Sequence, residues 1–336
     1  MGPVELGDQQ MVAIQTRNLS RTFDEVVAVD DLDLEVHTGE VYGFLGPNGA
    51  GKSTTINMLL GFVPPSDGSG TVLGHDIATE SLALRRRTGV LPEDFGVYDR
   101  LTARKHVEFA IETKAADDDP EVLLERVGLA DAIDRKAGGF SKGMAQRLAL
   151  AMALAGDPDL LLLDEPSTGL DPNGAREMRS IIRQEVDRGA TVFFSSHILG
   201  QVEAICDRVG VLREGRLVAE DTIEGLRSEF DSAARLIVTI DEPTDDIVTA
   251  VRSTAGVVDV RIEEADIVVS LERDDRKAPV INAIEDAGGT ITDITSADPS
   301  LEDLFAALTT DGDGTDLGVS SRNRSPGRPR ATEGDA

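Results

Sequence analysis

The chain has 336 residues, a formal net charge of −29, 4% aromatic residues and no Trp. This length exceeds what one hydrophobic core usually supports, so it predicts two domains whose cores rest on Leu, Val, Ile and Ala. No apolar stretch is long enough to cross a bilayer, no secretory signal opens the chain, and the acidic charge disfavours nucleic acid as a partner.

The acidic charge and the single cysteine bear on where the protein works. Lysines are few and arginines supply most of the positive charge, a balance that resembles proteins of salt-loving organisms, in which salt screens self-repulsion. The competing interpretation is an acidic surface that seeks a basic partner. Cys206 lies among apolar neighbours and is interpreted as a buried structural thiol rather than a nucleophile. We therefore expect a soluble, halophilic, cytoplasmic protein.

The first half of the chain alternates between strand and helix patterns. Residues 12–45 are expected to be mainly strands, of which 41–45 is a short buried strand that ends in a glycine-rich turn. Residues 52–60 change to a helical pattern, and residues 101–155 are expected to be mainly helical. This alternation is typical of an α/β fold.

The same alternation continues to about residue 230. Residues 160–163 form an apolar run bounded by Asp and Pro, which indicates a buried parallel strand. A polar helix is expected at 174–188 and a further buried strand at 191–195. The sequence therefore predicts an α/β domain with a largely parallel sheet.

Beyond residue 230 the pattern predicts a second, smaller α+β domain. The order strand-helix-strand-strand-helix-strand is that of a ferredoxin-like fold. A last helix carries Leu301, Leu304 and Phe305, and residues 310–336 are expected to be a disordered tail. The predicted strands cover 235–241, 257–263, 266–272 and 290–295, and the predicted helices cover 245–253 and 278–287.

A phosphate-binding loop lies between the strand at 41–45 and the helix after it. The pattern is glycine, four residues and Gly-Lys-Ser, in which glycines let consecutive N–H groups face phosphates at a helix start. Lys52 is expected to reach the β- and γ-phosphates of ATP, and Ser53 to ligate Mg²⁺. The expected phosphate-binding residues are Gly46, Pro47, Asn48, Gly49, Ala50, Gly51, Lys52, Ser53 and Thr54.

Two carboxylates follow the apolar run at 160–163. A buried strand that ends in Asp164 and Glu165 delivers both to one edge of the sheet, beside the phosphate loop. We expect Asp164 to orient Mg²⁺ and Glu165 to act as general base on the attacking water.

With these motifs in order, residues 12–225 resemble the nucleotide-binding domain of ATP-binding-cassette (ABC) proteins. The resemblance implies a P-loop NTPase fold of the ABC ATPase type: a parallel-sheet core, antiparallel strands and a helical subdomain at about 95–150. It places an ABC domain at 12–230, an α+β accessory domain at 231–309 and the tail at 310–336.

Further site residues are implied by the resemblance alone. Residues 140–144, Phe-Ser-Lys-Gly-Met, match the family's signature, more often Leu-Ser-Gly-Gly-Gln, so Ser141 and Gly143 would contact the ATP of an opposing subunit. His197 matches the switch histidine, which with Glu165 and Lys52 completes the expected catalytic set. Phe23 matches the aromatic that stacks on adenine.

Three positions depart from the family's usual pattern. Glu93 stands where the family has a metal-contacting glutamine, so the expected metal set is Ser53, Asp164 and Glu93. Lys142 replaces a glycine and either adds positive charge near the γ-phosphate or points outward. Met144 replaces a glutamine, and the form Phe-Ser-Lys-Gly-Met resembles the branch that serves ABC-2 type exporters.

The resemblance implies an ATPase that powers a membrane exporter. Its cofactors would be ATP and Mg²⁺, and its partners a separate transmembrane permease subunit and a second nucleotide-binding domain, in a homodimer or heterodimer. It would be cytoplasmic and peripheral to the inner face of the cell membrane. The alternatives are a soluble ABC ATPase that drives a macromolecular assembly machine, and a binding module without hydrolysis, which the intact catalytic set disfavours.

Overall fold

The computed structural model describes residues 11–230, 235–241, 243–263, 266–271 and 277–297. The predicted last helix and tail lie outside these residues. Three sheets and ten α-helices make up most of the described part of the chain.

The first sheet is antiparallel and begins with a long hairpin. Its strands are β1 (Val12–Phe23), β2 (Val26–His37), β4 (Asp67–Val72) and β5 (His75–Asp76), in the order β2-β1-β4-β5. Along β2 the buried side chains Leu32, Leu34 and Val36 alternate with exposed acids, so one face covers the core and the other faces water.

The second sheet is mostly parallel and carries the candidate site. Its order is β10-β9-β3-β8-β7-β6, in which the five strands from β9 to β6 run parallel and β10 is antiparallel to β9. The strands are β3 (Val41–Leu45), β6 (Thr88–Leu91), β7 (Leu160–Asp164), β8 (Thr191–Ser196), β9 (Arg208–Arg213) and β10 (Arg216–Thr222).

Both faces of the parallel sheet are buried, which explains its continuous apolar strands. In β7, Leu161 and Leu163 pack into one core cluster, whereas Leu160 and Leu162 pack into another on the opposite face. All four side chains are 0% exposed. A strand covered on both sides has no solvent face and therefore loses the polar alternation seen in β2.

Eight helices belong to this part of the chain, and local capping sets several of their starts. Asp119 caps α4 and Asp171 caps α6, each with Pro as the next residue, a favourable arrangement for a helix start. The helices are α1 (Lys52–Leu59), α2 (Ser81–Arg87), α3 (Ala103–Lys114), α4 (Pro120–Arg126), α5 (Lys142–Ala153), α6 (Pro172–Asp187), α7 (Leu199–Glu203) and α8 (Ile223–Phe230).

The third sheet has the ferredoxin-like topology that the sequence predicts. It is antiparallel in the order β12-β13-β11-β14, with its own apolar cluster, to which both helices of this region contribute. The elements are β11 (Arg235–Ile240), α9 (Asp245–Arg252), β12 (Val257–Glu263), β13 (Asp266–Leu271), α10 (Lys277–Asp286) and β14 (Ile291–Ala297).

The predicted elements that fall within the described residues are confirmed, with small differences at their ends and several additions. The helix expected at 174–188 begins at Pro172, because Asp171 caps it. The pattern missed the strands β4, β5, β6, β9 and β10 and the helices α2, α7 and α8. In β4 the sequence Asp-Gly-Ser-Gly-Thr-Val has little strand character, and the strand forms because β1 pairs with it.

Two general expectations can be compared with the structure. Cys206 is buried, and its burial raises the pKa of the thiol far above the usual range, as expected of a structural cysteine. Among the described residues, no helix is both long enough and apolar enough to cross a bilayer.

Candidate functional site

Four neighbouring parallel strands bring several of the predicted site residues to one edge of the sheet. Leu45 at the end of β3 pairs with Ser196, and Asp164 at the end of β7 pairs with Ser195. The phosphate loop, Glu165 and His197 follow β3, β7 and β8 directly, and Glu93 follows β6. Because carboxyl ends of parallel strands meet at the same edge, residues far apart in sequence become neighbours there.

The loop after β3 depends on glycine at its crowded positions. Gly51 has φ 107°, and a Cβ on it would lie 2.3 Å from the carbonyl oxygen of Ala28. A Cβ on Gly46 would lie 2.6 Å from the carbonyl oxygen of Leu212. Contacts this short do not occur for real side chains, so the neighbouring backbone forces glycine at both positions.

The start of α1 is open toward this loop. Gly51 is the N-cap residue and has no side chain to cap the helix, so no side chain satisfies the first-turn N–H groups. Such N–H groups, with the positive end of the helix dipole, bind anions. Ser53 and Thr54 lie half-buried in this turn. The geometry fits a phosphate group.

Lys52 closes the loop with a buried ammonium group. Its Nζ donates to the carbonyl oxygens of Gly46, at 2.7 Å, and Pro47, at 3.2 Å. The same Nζ lies 3.5 Å from Oε1 of Glu165, with only 6% of the lysine side chain and 3% of the glutamate side chain exposed. Burial of two charges is tolerated because each offsets the other and the loop carbonyls solvate the ammonium.

Glu165 adopts a backbone conformation that is uncommon for a non-glycine residue. Its φ is 50°, in the left-handed region, which carries a strain of about 1–3 kcal/mol in typical cases. Its N–H donates to the carbonyl oxygen of Ser195, at 3.3 Å, and to the hydroxyl of the same residue, at 3.2 Å. The adjacent strand β8 therefore holds the turn that follows Asp164.

The carboxylate of Glu165 is contacted on both oxygens. Nδ1 of His197 lies 2.9 Å from Oε1, and the hydroxyl of Thr168 donates to Oε2 at 3.2 Å. His197 retains 37% exposure of its side chain, whereas Glu165 is buried. The cluster thus joins a buried carboxylate, a buried ammonium and an imidazole that reaches solvent.

Asp164 is buried beside this cluster and bound by the same serine. The hydroxyl of Ser195 donates to Oδ1 of Asp164 and accepts from the N–H of Glu165, so one side chain fixes both acidic residues. Sequence reasoning missed Ser195 and the role of Thr168 in holding Glu165. The polar end of the apolar strand at 191–195 is the signal that points to Ser195.

The donor set of this site fits magnesium bound together with phosphates. Within the described ranges, no three His, Cys, Asp or Glu side chains converge into a metal cage. Mg²⁺ usually keeps several waters and is bound through one or two carboxylates and substrate phosphates, so such a cage is not needed. Asp164 and Ser53 supply oxygen donors of that kind at the end of β7 and the start of α1.

The signature segment lies at the start of α5, outside the Lys52–Glu165 cluster. Ser141 is the N-cap residue of α5, and its exposed hydroxyl accepts from the N–H of Met144 at 3.2 Å. Arg135 holds the segment: its guanidinium donates to the carbonyl of Gly139 and lies 5.6 Å from the ring centroid of Phe140. Gly143 is half-buried in the first turn of α5.

Phe23 and Glu93 make no polar contact with the cluster. Phe23 ends β1 at the tip of the β1–β2 hairpin, where its ring is 41% exposed and the guanidinium of Arg21 lies 4.4 Å from its centroid. Glu93 is exposed in the loop after β6. Across the described residues, no hydrogen bond or ion pair joins Phe23, Glu93 or Ser141 to Lys52 or Glu165.

Comparisons with known proteins point to one protein family. A protein-family model described as ABC transporter matches residues 29–168. A linearmycin resistance ATP-binding protein of Bacillus subtilis (strain 168) is 31% identical over 304 residues, which cover 88% of this chain and 98% of the relative. A bacitracin transport ATP-binding protein of Bacillus licheniformis is 34% identical over 309 residues, which cover 88% and 96%.

A solved structure of the same family is also similar to this chain. It is described as the ATP-binding subunit of an ABC transporter and superposes with a TM-score of 0.59 at 29% identity, covering 65% of this chain and 93% of the other. The two relatives match over a length that extends from the parallel-sheet region into the third sheet. The similarity is therefore not confined to the phosphate loop.

Proposed function

The chain belongs to the ABC transporter ATP-binding proteins and hydrolyses ATP, and from this premise we propose that it is the motor subunit of a membrane exporter. The observation that carries the proposal is the buried cluster in which Glu165 contacts both Lys52 and His197. Its composition suits the cleavage of a phosphate anhydride at the start of a helix.

Nucleotide binding is assigned to the loop and its flanking residues. The backbone N–H groups between Gly46 and Thr54, apart from Pro47, which has none, would surround the phosphates. Lys52 would exchange its hydrogen bonds to the loop carbonyls for bonds to the β- and γ-phosphate oxygens. Phe23, whose ring is exposed at a hairpin tip, stacks on adenine. Mg²⁺, when bound, neutralises phosphate charge, with Ser53, Asp164 and Glu93 as the residues that would hold it.

Hydrolysis is assigned to Glu165 with His197. Glu165 accepts the proton of the attacking water, and the contacts from Thr168 and Ser195 fix the orientation of its carboxylate and backbone. His197, at the end of β8, contacts Glu165 through Nδ1, which leaves Nε2 available for the γ-phosphate side. A base held by several groups needs little reorganisation at the moment of reaction.

A second nucleotide-binding domain is proposed to complete each site. Ser141 and Gly143 lie at the exposed start of α5 and make no polar contact with the Lys52–Glu165 cluster of their own chain. The start of α5 suits a γ-phosphate that is presented by another subunit. Two chains would then hold two ATP molecules between them, and hydrolysis would reopen the dimer.

The export function and the permease partner rest on the relatives and on one exposed segment. The printed names of the two relatives concern linearmycin resistance and bacitracin transport, and both describe ATP-binding proteins. Tyr98 is 69% exposed and Leu101 is 39% exposed in the segment after Glu93, and exposed apolar side chains of this kind suit a protein partner. We propose a separate transmembrane permease there, with this chain on the inner face of the membrane.

A Glu165→Gln variant tests the assignment. Turnover of ATP by the full chain at high salt should fall at least about 100-fold, because the base is lost, whereas ATP binding should persist. ATP should also convert the variant into a dimer on size-exclusion chromatography, since closure is no longer reversed by hydrolysis.

The matched control is Glu112→Gln, which changes an exposed glutamate on α3 and should turn over ATP like the unmodified chain. Turnover by the Glu165→Gln variant within about threefold of the unmodified chain would refute the role of Glu165. Failure of the unmodified chain to release phosphate from ATP would refute the proposed function as a whole.

A further inference from the structure

The hairpin of β1 and β2 lies directly against the start of α1. A Cβ built on Gly51, the N-cap residue of α1, would lie 2.3 Å from the carbonyl oxygen of Ala28 and 3.3 Å from Cγ2 of Val29. Both of these residues belong to β2, just after the hairpin turn that follows Phe23. The exposed ring of Phe23 therefore stands at the tip of an element that touches the helix start assigned to phosphates.

Arg21 places its guanidinium on one face of the Phe23 ring. Its Cζ lies 4.4 Å from the ring centroid, within the range of a cation–π interaction. Arg21 is half-buried and pairs with Val29 across the hairpin. Because the guanidinium covers one face of the ring, the 41% exposure of Phe23 comes from the other face and the ring edge. One face of the ring is therefore supported, and the other is open to a planar ligand.

The same guanidinium ties the hairpin to the segment that follows α1. Its Nη1 donates to the carbonyl oxygen of Pro64 at 2.9 Å. Two further hydrogen bonds join the same segments: the N–H of Thr22 donates to the hydroxyl of Ser66 at 3.1 Å, and the N–H of Ser66 donates to the carbonyl of Ser20 at 2.8 Å. Loss of the arginine would therefore leave the hairpin attached while it removes the support on one face of the ring.

The charge of Arg21 is not paired with a carboxylate of the described residues. Its Nε is also buried without a hydrogen-bond partner among them. Other arginines of this acidic chain do form ion pairs, as Arg104 does with Glu121 at 2.8 Å. A buried donor without a partner destabilises a fold and calls for another reason to be kept. The ring of Phe23 and the carbonyl of Pro64 are the contacts that hold this charge in place.

We propose that Arg21 is a positioning residue for the nucleotide base, which supports one face of Phe23 while the base stacks on the other. This inference rests on the proposed function, in which the phosphates bind at the start of α1 and adenine binds at Phe23. The cation draws the π electrons of the ring toward its own face, so the opposite face repels the π electrons of a stacked base less. Because the Pro64 contact fixes the guanidinium, the platform is in place before ATP binds.

The test compares a ligand that carries a base with one that does not. Arg21→Met keeps the length and apolar body of the side chain but removes its charge and its donors. It should weaken ATP binding by the full chain about 3- to 10-fold, measured as Kd by titration with a fluorescent nucleotide. Inorganic tripolyphosphate, measured by competition, should bind the variant and the unmodified chain equally, because the phosphate loop is unchanged.

Arg17→Met is the matched control. It changes an exposed arginine of the same strand, whose Nη2 contacts only Gln15, at 3.4 Å, among the described residues. The Kd of ATP and the Kd of tripolyphosphate should both stay at the values of the unmodified chain.

A double-mutant cycle shows whether Arg21 acts through Phe23. Phe23→Ala removes the ring, so the addition of Arg21→Met should weaken ATP binding by no more than about 1.5-fold further. If Arg21 contacted the nucleotide directly, or only stabilised the fold, its loss would have the same effect in both backgrounds. Thermal unfolding of each variant verifies that it is folded.

Three results would overturn the inference while the proposed function stands. They are unchanged ATP affinity in Arg21→Met, tripolyphosphate binding weakened as much as ATP binding, and a double variant whose loss equals the product of the single losses. Unchanged ATP affinity in Phe23→Ala would overturn the inference together with the stacking role of Phe23. An unmodified chain that binds no ATP would instead contradict the proposed function.

Discussion

The Lys52–Glu165 cluster and the signature segment differ in how their polar groups are satisfied. In the cluster, charged groups are buried, and each has partners within the chain: Lys52 has two carbonyls and a carboxylate, and Glu165 has contacts on both oxygens. In the signature segment, Ser141 and Lys142 are exposed. A buried charge needs partners for the fold to persist, whereas an exposed helix start does not.

This difference indicates what each region contributes. The cluster is assembled by folding of one chain, so its changes should affect nucleotide affinity and chemistry in an isolated subunit. The signature segment is only held in place by its own chain, so its changes should affect the association of two subunits. Three substitutions test this comparison, in descending order of expected effect.

Lys52→Ala should have the largest effect. It removes the ammonium that contacts the loop and leaves the buried Glu165 without its cationic neighbour at 3.5 Å. We expect a loss of about 3 kcal/mol in nucleotide binding, roughly 100-fold in Kd, because one partner of a buried charge pair is removed. Titration with a fluorescent nucleotide measures the Kd of the variant and of the unmodified chain. A Kd within about threefold of the unmodified value would contradict the comparison.

Arg135→Ala should have an intermediate effect, on dimer formation alone. The variant loses the contacts to Gly139 and Phe140 that hold the signature segment. In the Glu165→Gln background, we expect ATP-dependent dimerisation to weaken roughly tenfold, while ATP binding by the monomer stays unchanged.

Sedimentation velocity across a range of protein concentrations measures this association. Arg104→Ala is the control, because this arginine of α3 makes surface ion pairs with Asp134 and Glu121, which contribute little. A parallel loss of ATP affinity in the Arg135→Ala monomer would show that the two regions are not separate in function.

Phe23→Ala should have the smallest effect, limited to nucleotides that carry a base. Loss of stacking on an exposed ring should weaken ATP binding roughly fivefold, about 1 kcal/mol. Inorganic tripolyphosphate, which has no base, should bind both proteins equally, as a competition titration can determine. Equal weakening for both ligands would assign Phe23 a structural role in the β1–β2 hairpin instead.

The motifs that were predictable are those whose residues are contiguous. The phosphate loop and the start of α1 lie within nine consecutive residues, from Gly46 to Thr54, so a local pattern identifies them. Asp164 and Glu165 directly follow an apolar run that indicates a buried strand. The domain limits, the role of each site residue and the halophilic interpretation of the acidic charge stay predictions.

Other parts were not predictable because they depend on pairing between distant segments. β4 is polar and forms because β1 lies beside it, and the glycine requirement at Gly51, before α1, comes from the carbonyl of Ala28 in β2. Ser195 reaches Asp164 only because β7 and β8 are neighbours in the sheet. None of these relations has a local pattern that reveals it.

The sequence by itself determined the chemistry of this protein: a phosphate loop, a lysine, two carboxylates and a histidine, each placed at the end of a recognisable strand. The tertiary structure alone decided how these groups meet, with Glu165 contacted by Lys52, His197 and Thr168. The physical reason is that hydrophobic periodicity and glycine patterns act over a few residues, whereas hydrogen bonds and steric contacts between strands arise only after the sheet has formed.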